Sequence, residues 1–221
     1  MCVRYAAYQI NRVIDLLGIK NCAELDAFKD NYNASPGQYL PIVTCQDKHT
    51  INLFKWGLIS PWYKTGITAA NMFNIEAAKI SKRPVLRNML KSQRCIIVTS
   101  GYYEWKSTDN GQIAYHVRVK EEPFTLLAGL YEASVDKRTG ERMNSFTIIT
   151  TKASAALTDL RADMPLTLVG DDALYWLSED SSVDKINELL FHDARHEIDV
   201  YEVSAGITDS RTNLPGLIVR I

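Results

Sequence analysis

The chain begins M-C-V-R-Y, and Cys2 is the first residue with a chemistry of its own. Initiator methionine is commonly trimmed ahead of a small side chain, and cysteine qualifies. Trimming leaves one residue with a free α-amine and a thiol, two nucleophiles that can attack the same electrophile in turn. With Met1 retained, Cys2 is an ordinary thiol. Glu104 is the second such residue. In G-Y-Y-E-W the alternation of a strand sends Tyr102 and Glu104 to one face and Tyr103 and Trp105 to the other. Glutamate is depleted in strands. Held among aromatics away from water, it would have a raised pKa and shuttle protons near neutrality. On a solvated edge strand it would do neither, and the segment alone leaves both readings open.

A nucleic-acid partner is readable in two places. Residues 77–95, AAKISKRPVLRNMLKSQRC, carry Lys79, Lys82, Arg83, Arg87, Lys91 and Arg94 and no acid. A helix through this run sets Arg87, Lys91 and Arg94 opposite its apolar stripe, where they either hold phosphates or are merely solvated. W-G-L-I-S-P-W-Y-K places Trp56 and Trp62 about a Ser-Pro turn. Such aromatics can stack on unpaired bases, although Trp56 also reads as core with Trp62 capping it. His192 and His196 have the i, i+4 spacing of a helical metal pair but lack a third ligand. His116 alternates with Arg118 and Lys120 on what reads as a polar strand face. Without a third ligand no metal is expected, and with no G-x-S-x-G and no phosphate-cradling glycine loop no cofactor is expected either.

The elements that must position these residues follow from pattern. Residues 9–18 place Ile10, Val13, Ile14 and Leu17 at helical spacing with Gly18 as the stop. The run from Pro84 puts Val85, Leu86, Met89 and Leu90 on one helical face. A late helix is expected over roughly 171–190. NYNASPGQYLPIVTC reads as a polar turn leading into a strand, and strands are expected in INLFKWGLI, RCIIVTSGYYEWK, QIAYHVRVK, FTLLAGLYEAS and SFTIITT, and in VYEVS and GLIVRI at the end. Many strands, few helices and no βαβ alternation point to an α+β fold with a curved, largely antiparallel sheet. At 221 residues, one domain over 2–221 is expected.

Bulk composition narrows the partners. A net charge of −1 excludes a globally basic nucleic-acid binder and leaves only a local patch. Cys2, Cys22, Cys45 and Cys95 form no C-x-x-C pair, which argues against a zinc ribbon or disulfide framework and fits a reducing cytosol. Met1 is not followed by an apolar leader, and no apolar run approaches the ~20 residues of a membrane span. A cytoplasmic, monomeric protein without a membrane partner is expected, nucleoid-associated if bacterial.

Taken in order, M-C-V-R-Y, Y-N-A-S-P, W-G-L-I-S-P-W, an Asn-bearing segment, R-C-I-I-V-T-S-G-Y-Y-E-W, F-T-I-I-T-T and M-P-L-T-L resemble the SOS-response-associated peptidase (SRAP) family, over nearly the whole chain. The resemblance implies a curved β structure with a basic cleft leading to the mature N-terminal cysteine. It implies capture of abasic sites in single-stranded DNA as a covalent crosslink through Cys2. Glu104 becomes the proton shuttle, Asn74 the residue that positions the sugar or the Cys2 terminus, and Arg4 with the Lys79, Lys82, Arg83 and Arg87 run and Trp56 and Trp62 the DNA contacts. Autoproteolytic removal of Met1 is a linked activity, although a housekeeping aminopeptidase suffices for one residue.

The chain departs from the family pattern in two motifs. The family's N-A-R-x-E-T is N-I-E-A-A-K here, with Glu76 at the arginine position and Asn71 a rival to Asn74 if the register slips. Its H-x-R-M-P is R-A-D-M-P, with Arg161 for the active-site histidine and Asp163 for an arginine. Arginine stays charged and cannot exchange a proton near pH 7. Arg161 is left to hold a phosphate or sugar oxygen, to lower the pKa of a nearby Glu104, or to pair with Glu76 or Asp163. Two functions remain: a crosslinker, slowed or not, and a non-catalytic single-stranded DNA-binding module on the same fold.

Overall fold

The computed structural model describes residues 2–59, 72–109, 111–135, 140, 142–191 and 196–221. Strand β1 (Tyr5–Ala7) begins three residues after Cys2, and α1 (Val13–Leu17) follows a single 3-10 turn. Then come β2 (Asn31–Ala34), β3 (Tyr39–Thr44), β4 (Ile51–Trp56), β5 (Asn74–Glu76), α2 (Ala77–Lys82) and α3 (Pro84–Ser92). A run of long strands follows: β6 (Arg94–Thr99), β7 (Gly101–Thr108), β8 (Gly111–Val119), β9 (Thr125–Val135) and β10 (Arg142–Lys152). The chain ends with β11 (Asp163–Pro165), β12 (Thr167–Leu168), α4 (Gly170–Leu177), α5 (Val183–Phe191), β13 (Ile198–Val203) and short 3-10 turns.

These strands make two sheets. β10 pairs β4 on one side and β9 on the other, so β10, β4, β3, β6 and β9 close into a barrel, with β5, β11 and β12 attached. The second sheet runs β13-β8-β7-β1-β2. Among the described strands, the β10 ladders with β4 and β5 are parallel and the other ladders are antiparallel. The α+β class and the curved, largely antiparallel sheet expected above are what the chain adopts. Every residue of β6 is buried, because one face looks into the barrel and the other is covered by α3 and α4. Trp56 joins the sheets: its ring lies 4.9 Å from Tyr5 of β1 and stacks on Phe146 of β10. At Gly101, with φ +141°, an added Cβ would stand 2.3 Å from the His116 ring, so β7 can approach β8 only as glycine there. No helix among the described residues is long and apolar enough to cross a membrane.

Several expectations need correction. The late helix is two, because Tyr175 bonds Ser181 and Ser182 and turns the chain between α4 and α5. RCIIVTSGYYEWK is two strands that belong to different sheets, broken at Ser100. GLIVRI is a 3-10 turn with one bridge, Val203 to Arg220, not a strand. Val85 is on the outer side of α3, whose buried face is Leu86, Met89 and Leu90.

Candidate active site

The site is built where the two sheets meet. Tyr5 pairs Tyr102 across β1 and β7, and the Tyr103 amide donates to the Arg4 carbonyl, so the ladder carries Cys2 along the Glu104 end of β7. Alternation along β7 then does what the sequence suggested: Tyr102 joins the large core with Cys2 and Tyr5, and Tyr103 joins the smaller one under β8 and β13. Glu104, on the Tyr102 face, is 2% exposed. From the barrel side, β5 lies along β10 with Asn74 beside Ile148, and Asn74 Nδ2 donates to the Cys2 carbonyl oxygen at 2.6 Å. Arg161 precedes β11 and sets its Nε 3.4 Å from Glu104 Oε2. Cys2, Asn74, Glu104 and Arg161 are thus brought together from four segments of the chain.

The electrostatics are those of a dry chamber. Burial pushes the Glu104 carboxyl up to about 7; the amino terminus and Arg161 work against that shift, and Asp163 adds to it. The Cys2 thiol is pushed well up, first by burial and then by the charge of Glu104, with a weak bond from Sγ to the Arg4 carbonyl at 3.6 Å working against the shift. It is therefore a neutral thiol at physiological pH. Tyr102, raised by burial, also feels Cys2, Glu104 and Asp163, so these four groups share one field.

Around this chamber the polar atoms are short of partners. Arg4 Nη1, Tyr5 Oη, Asn74 Oδ1, Tyr102 Oη, Glu104 Oε1 and Thr150 Oγ1 are all buried without a hydrogen bond among the described residues. Native interiors rarely leave such groups unpaired, and a cluster of them beside a nucleophile is a cradle for a hydroxyl-rich or anionic ligand. Sequence reasoning passed over Tyr5 and Thr150 as site residues. The signal for Thr150 was there: in S-F-T-I-I-T-T, alternation puts it on the face of Phe146 and Ile148, toward Trp56.

The remaining sites divide. Lys82, Arg83 and Arg87 are exposed around the α2–α3 junction, beginning eight residues after Asn74. Lys79 is exposed as well and pairs with Glu76 at 2.6 Å. Trp56 is corrected to core: it is 1% exposed, its faces are taken by Tyr5 and Phe146, and its indole donates to the Phe73 carbonyl, leaving no face for a base. Arg94 is corrected too; it is fully buried at the start of β6 and not on the outer face of the helix. His116 is not on a polar face but packed between Tyr103 and Tyr201, where burial pulls it down to about 4. Arg161 pairs with Glu104 and not with Glu76, whose partner is Lys79. Trp62, Asn71 and His192 lie outside the described residues; His196 contacts the Thr167 hydroxyl at 2.5 Å.

Comparison with known proteins bears on this geometry. A family model described as SOS response associated peptidase (SRAP) matches residues 1–210. The chain is 30% identical over 222 residues to Abasic site processing protein YoaM of Bacillus subtilis (strain 168), covering 99% of this chain and 97% of that one. It is 22% identical to Abasic site processing protein HMCES of Xenopus tropicalis, over 89% of this chain and 68% of that protein. A crystal structure of a Bacteroides thetaiotaomicron protein, 28% identical, superposes with a TM-score of 0.86 and covers 100% of both chains. One from Bordetella bronchiseptica, 17% identical with a TM-score of 0.71 over 92% of this chain and 100% of that one, shares the fold.

Proposed function

Because the chain belongs to the SOS response associated peptidase (SRAP) family, we propose that it captures abasic sites in single-stranded DNA as a covalent thiazolidine on Cys2, once Met1 is removed. The relatives' names supply the lesion class. The observation that carries the reading is the placement of Cys2: its carbonyl is held by Asn74 and its thiol shares a buried field with a carboxyl group poised near 7.

The open form of an abasic deoxyribose is an aldehyde. The freed α-amine, with an ordinary pKa of ~7.7–8.0, is partly neutral and adds to C1′, forming a C–N bond. A proton passes from the nitrogen to the oxygen to give a carbinolamine. Protonated Glu104 gives its proton to the departing hydroxyl, and water and an iminium ion result. The thiol sulfur then adds to the iminium carbon as its proton passes to Glu104, which closes the five-membered ring with one N–H left on the nitrogen. Because the Cys2 thiol is neutral in its burial, the amine attacks first. Both nucleophiles belong to one anchored residue, so the second step is intramolecular and its effective molarity high. Arg161 cannot carry a proton; its part is to keep Glu104 able to ionise between the two steps. Arg4, whose buried Nη1 has no partner among the described residues, and Lys79, Lys82, Arg83 and Arg87 hold the strand's phosphates.

A second reading, reversible DNA binding without chemistry, is favoured by the loss of a proton-exchanging histidine, whose place Arg161 takes, and by Glu76 and Asp163 standing where the family pattern has arginines. One experiment separates them. Protein whose Met1 removal is confirmed by intact mass is incubated with single-stranded DNA carrying one abasic site and run on a denaturing gel beside Cys2→Ala. A heat-stable shifted band absent from the mutant supports the crosslinker; salt-sensitive binding on a native gel with no such band supports the module.

A further inference from the structure

A cavity of about 360 Å³ opens beside the chamber, lined by Glu76, Thr150, Lys152, Asp163 and Phe191 among others. Its wall is continuous with the site. Asp163, whose charge is felt at Cys2, Tyr102 and Glu104, faces both. Thr150, 1% exposed, lines the cavity with a buried Oγ1 that has no partner among the described residues. Phe191 ends α5 and is 54% exposed. Lys152 and Asp163 are direct cross-strand partners between β10 and β11, so an ammonium donor and a carboxylate acceptor stand side by side.

Phosphate is a poor match for this wall, which holds two carboxylates. An aromatic ring beside a donor–acceptor pair fits a nucleobase edge much better. Carboxylates accept from ring and exocyclic N–H groups, lysine donates to a ring carbonyl oxygen, and an exposed phenyl ring stacks on the base. Guanine carries all three features on one edge: N1–H and N2–H₂ as donors and O6 as acceptor. Adenine and cytosine offer the exocyclic amine without the adjoining O6 and N1–H arrangement, and thymine offers no exocyclic donor. The volume is in the range of ligand pockets generally.

We infer that this cavity seats the base next to the abasic sugar, and that it prefers guanine, with Asp163 accepting from N1–H and N2–H₂, Lys152 donating to O6 and Phe191 stacking. The inference rests on the reading of Cys2 as the lesion-capturing residue, and it makes the protein selective for lesions in a G-flanked context.

The test separates base selection from capture. Cys2→Ala protein is titrated by fluorescence anisotropy with single-stranded oligonucleotides carrying a non-reactive abasic analogue flanked on one side by G, inosine, A, C or T. The expected result is about tenfold tighter binding for G than for A or T, with inosine between because it lacks the 2-amine. Asp163→Asn or Lys152→Ala levels the series, and Phe191→Ala weakens every flank alike. Lys152 and Phe191 are exposed enough that their variants fold even if Asp163→Asn does not. Equal affinity for all flanks, or a preference unmoved by these variants, overturns the inference. So does competition by free deoxyguanosine monophosphate as strong as that of the G-flanked strand, which would give the cavity to a nucleotide ligand. Failure of the capture reading shows differently, as no Cys2-dependent covalent band with the wild type on any flank.

Discussion

Arg161 and Glu104 form an ion pair across the mouth of the chamber, Nε to Oε2 at 3.4 Å, with the arginine side chain 39% exposed and the glutamate 3%. The sealed partner is the one whose ionisation matters. Arg161 is among the influences that lower the Glu104 pKa against the larger upward push of burial. Arg161→Met should therefore move the Glu104 ionisation above about 7, and the pH–rate profile of single-turnover crosslinking should shift to the alkaline side. Arg161→His is more telling. A histidine near its ordinary ~6.5 is a cation in acid and neutral in base. That variant should follow wild type at low pH and the methionine variant at high pH. A profile unchanged in both variants would remove Arg161 from the proton economy of the site.

The same carboxyl makes stability depend on pH. Glu104 is raised from 4.5 to about 7 in the folded protein, so between those values the folded state binds more protons than the unfolded one. Stability from this group is fully present below about 4.5, falls as pH rises, and levels off above about 7. The loss is at most about 3 kcal/mol. Glu104→Gln should flatten that part of the curve and make the protein more stable at pH 8, measured by urea unfolding across pH. A wild-type curve that rises through this window relative to Glu104→Gln would sink the assignment.

Asn74 acts on the other half of the site. Its 2.6 Å bond fixes the Cys2 carbonyl, while its own Oδ1 stays buried without a partner among the described residues. Asn74→Ala should slow crosslinking by about tenfold, the cost of one ordering hydrogen bond near the reacting atoms. The fall should be in the rate at saturating DNA, with affinity for undamaged single strands unchanged. A change in affinity alone would make Asn74 a DNA contact instead.

How much of this was legible in the sequence depends on whether the cause was local. Tyr102 and Glu104 share a face because strands alternate, and that needed only G-Y-Y-E-W. The stop at Gly18, at φ 64°, and the α3 face of Leu86, Met89 and Leu90 were equally local. The burial of Trp56 was ambiguous until Tyr5 and Phe146, 51 residues before it and 90 after it, were seen on its two faces. His116 was misplaced for the same reason: alternation with Arg118 put it on a polar face, but Tyr103 and the distant Tyr201 cover it. The Arg161–Glu104 pair joins residues whose sequence separation no periodicity spans. Resemblance offered the Asn74–Cys2 and Arg161–Glu104 contacts among alternatives, and the fold chose them.

Arg94 is the sharpest case, because sequence placed it on the outer face of the helix, to hold phosphate or simply to be solvated, and the fold buries it completely. Its guanidinium donates to the Leu90 and Lys91 carbonyls in the last turn of α3, and to those of Trp176 and Ser178 at the end of α4. It thus places one cation against the negative ends of two helices and satisfies carbonyls that neither helix can. Lysine cannot reproduce this, since its single ammonium lacks the planar fork that reaches both helices. Arg94→Met should cost about 3 kcal/mol or more in chemical denaturation, because it leaves several buried acceptors unpaired at once. Arg94→Lys should recover only part of the loss. The crosslinking rate per folded molecule should be unchanged in both, since no atom of Arg94 reaches solvent or the chamber. If Arg94→Met instead kept its stability and lowered the salt dependence of DNA binding, the residue would belong with Lys82, Arg83 and Arg87 on the surface proposed to meet phosphates.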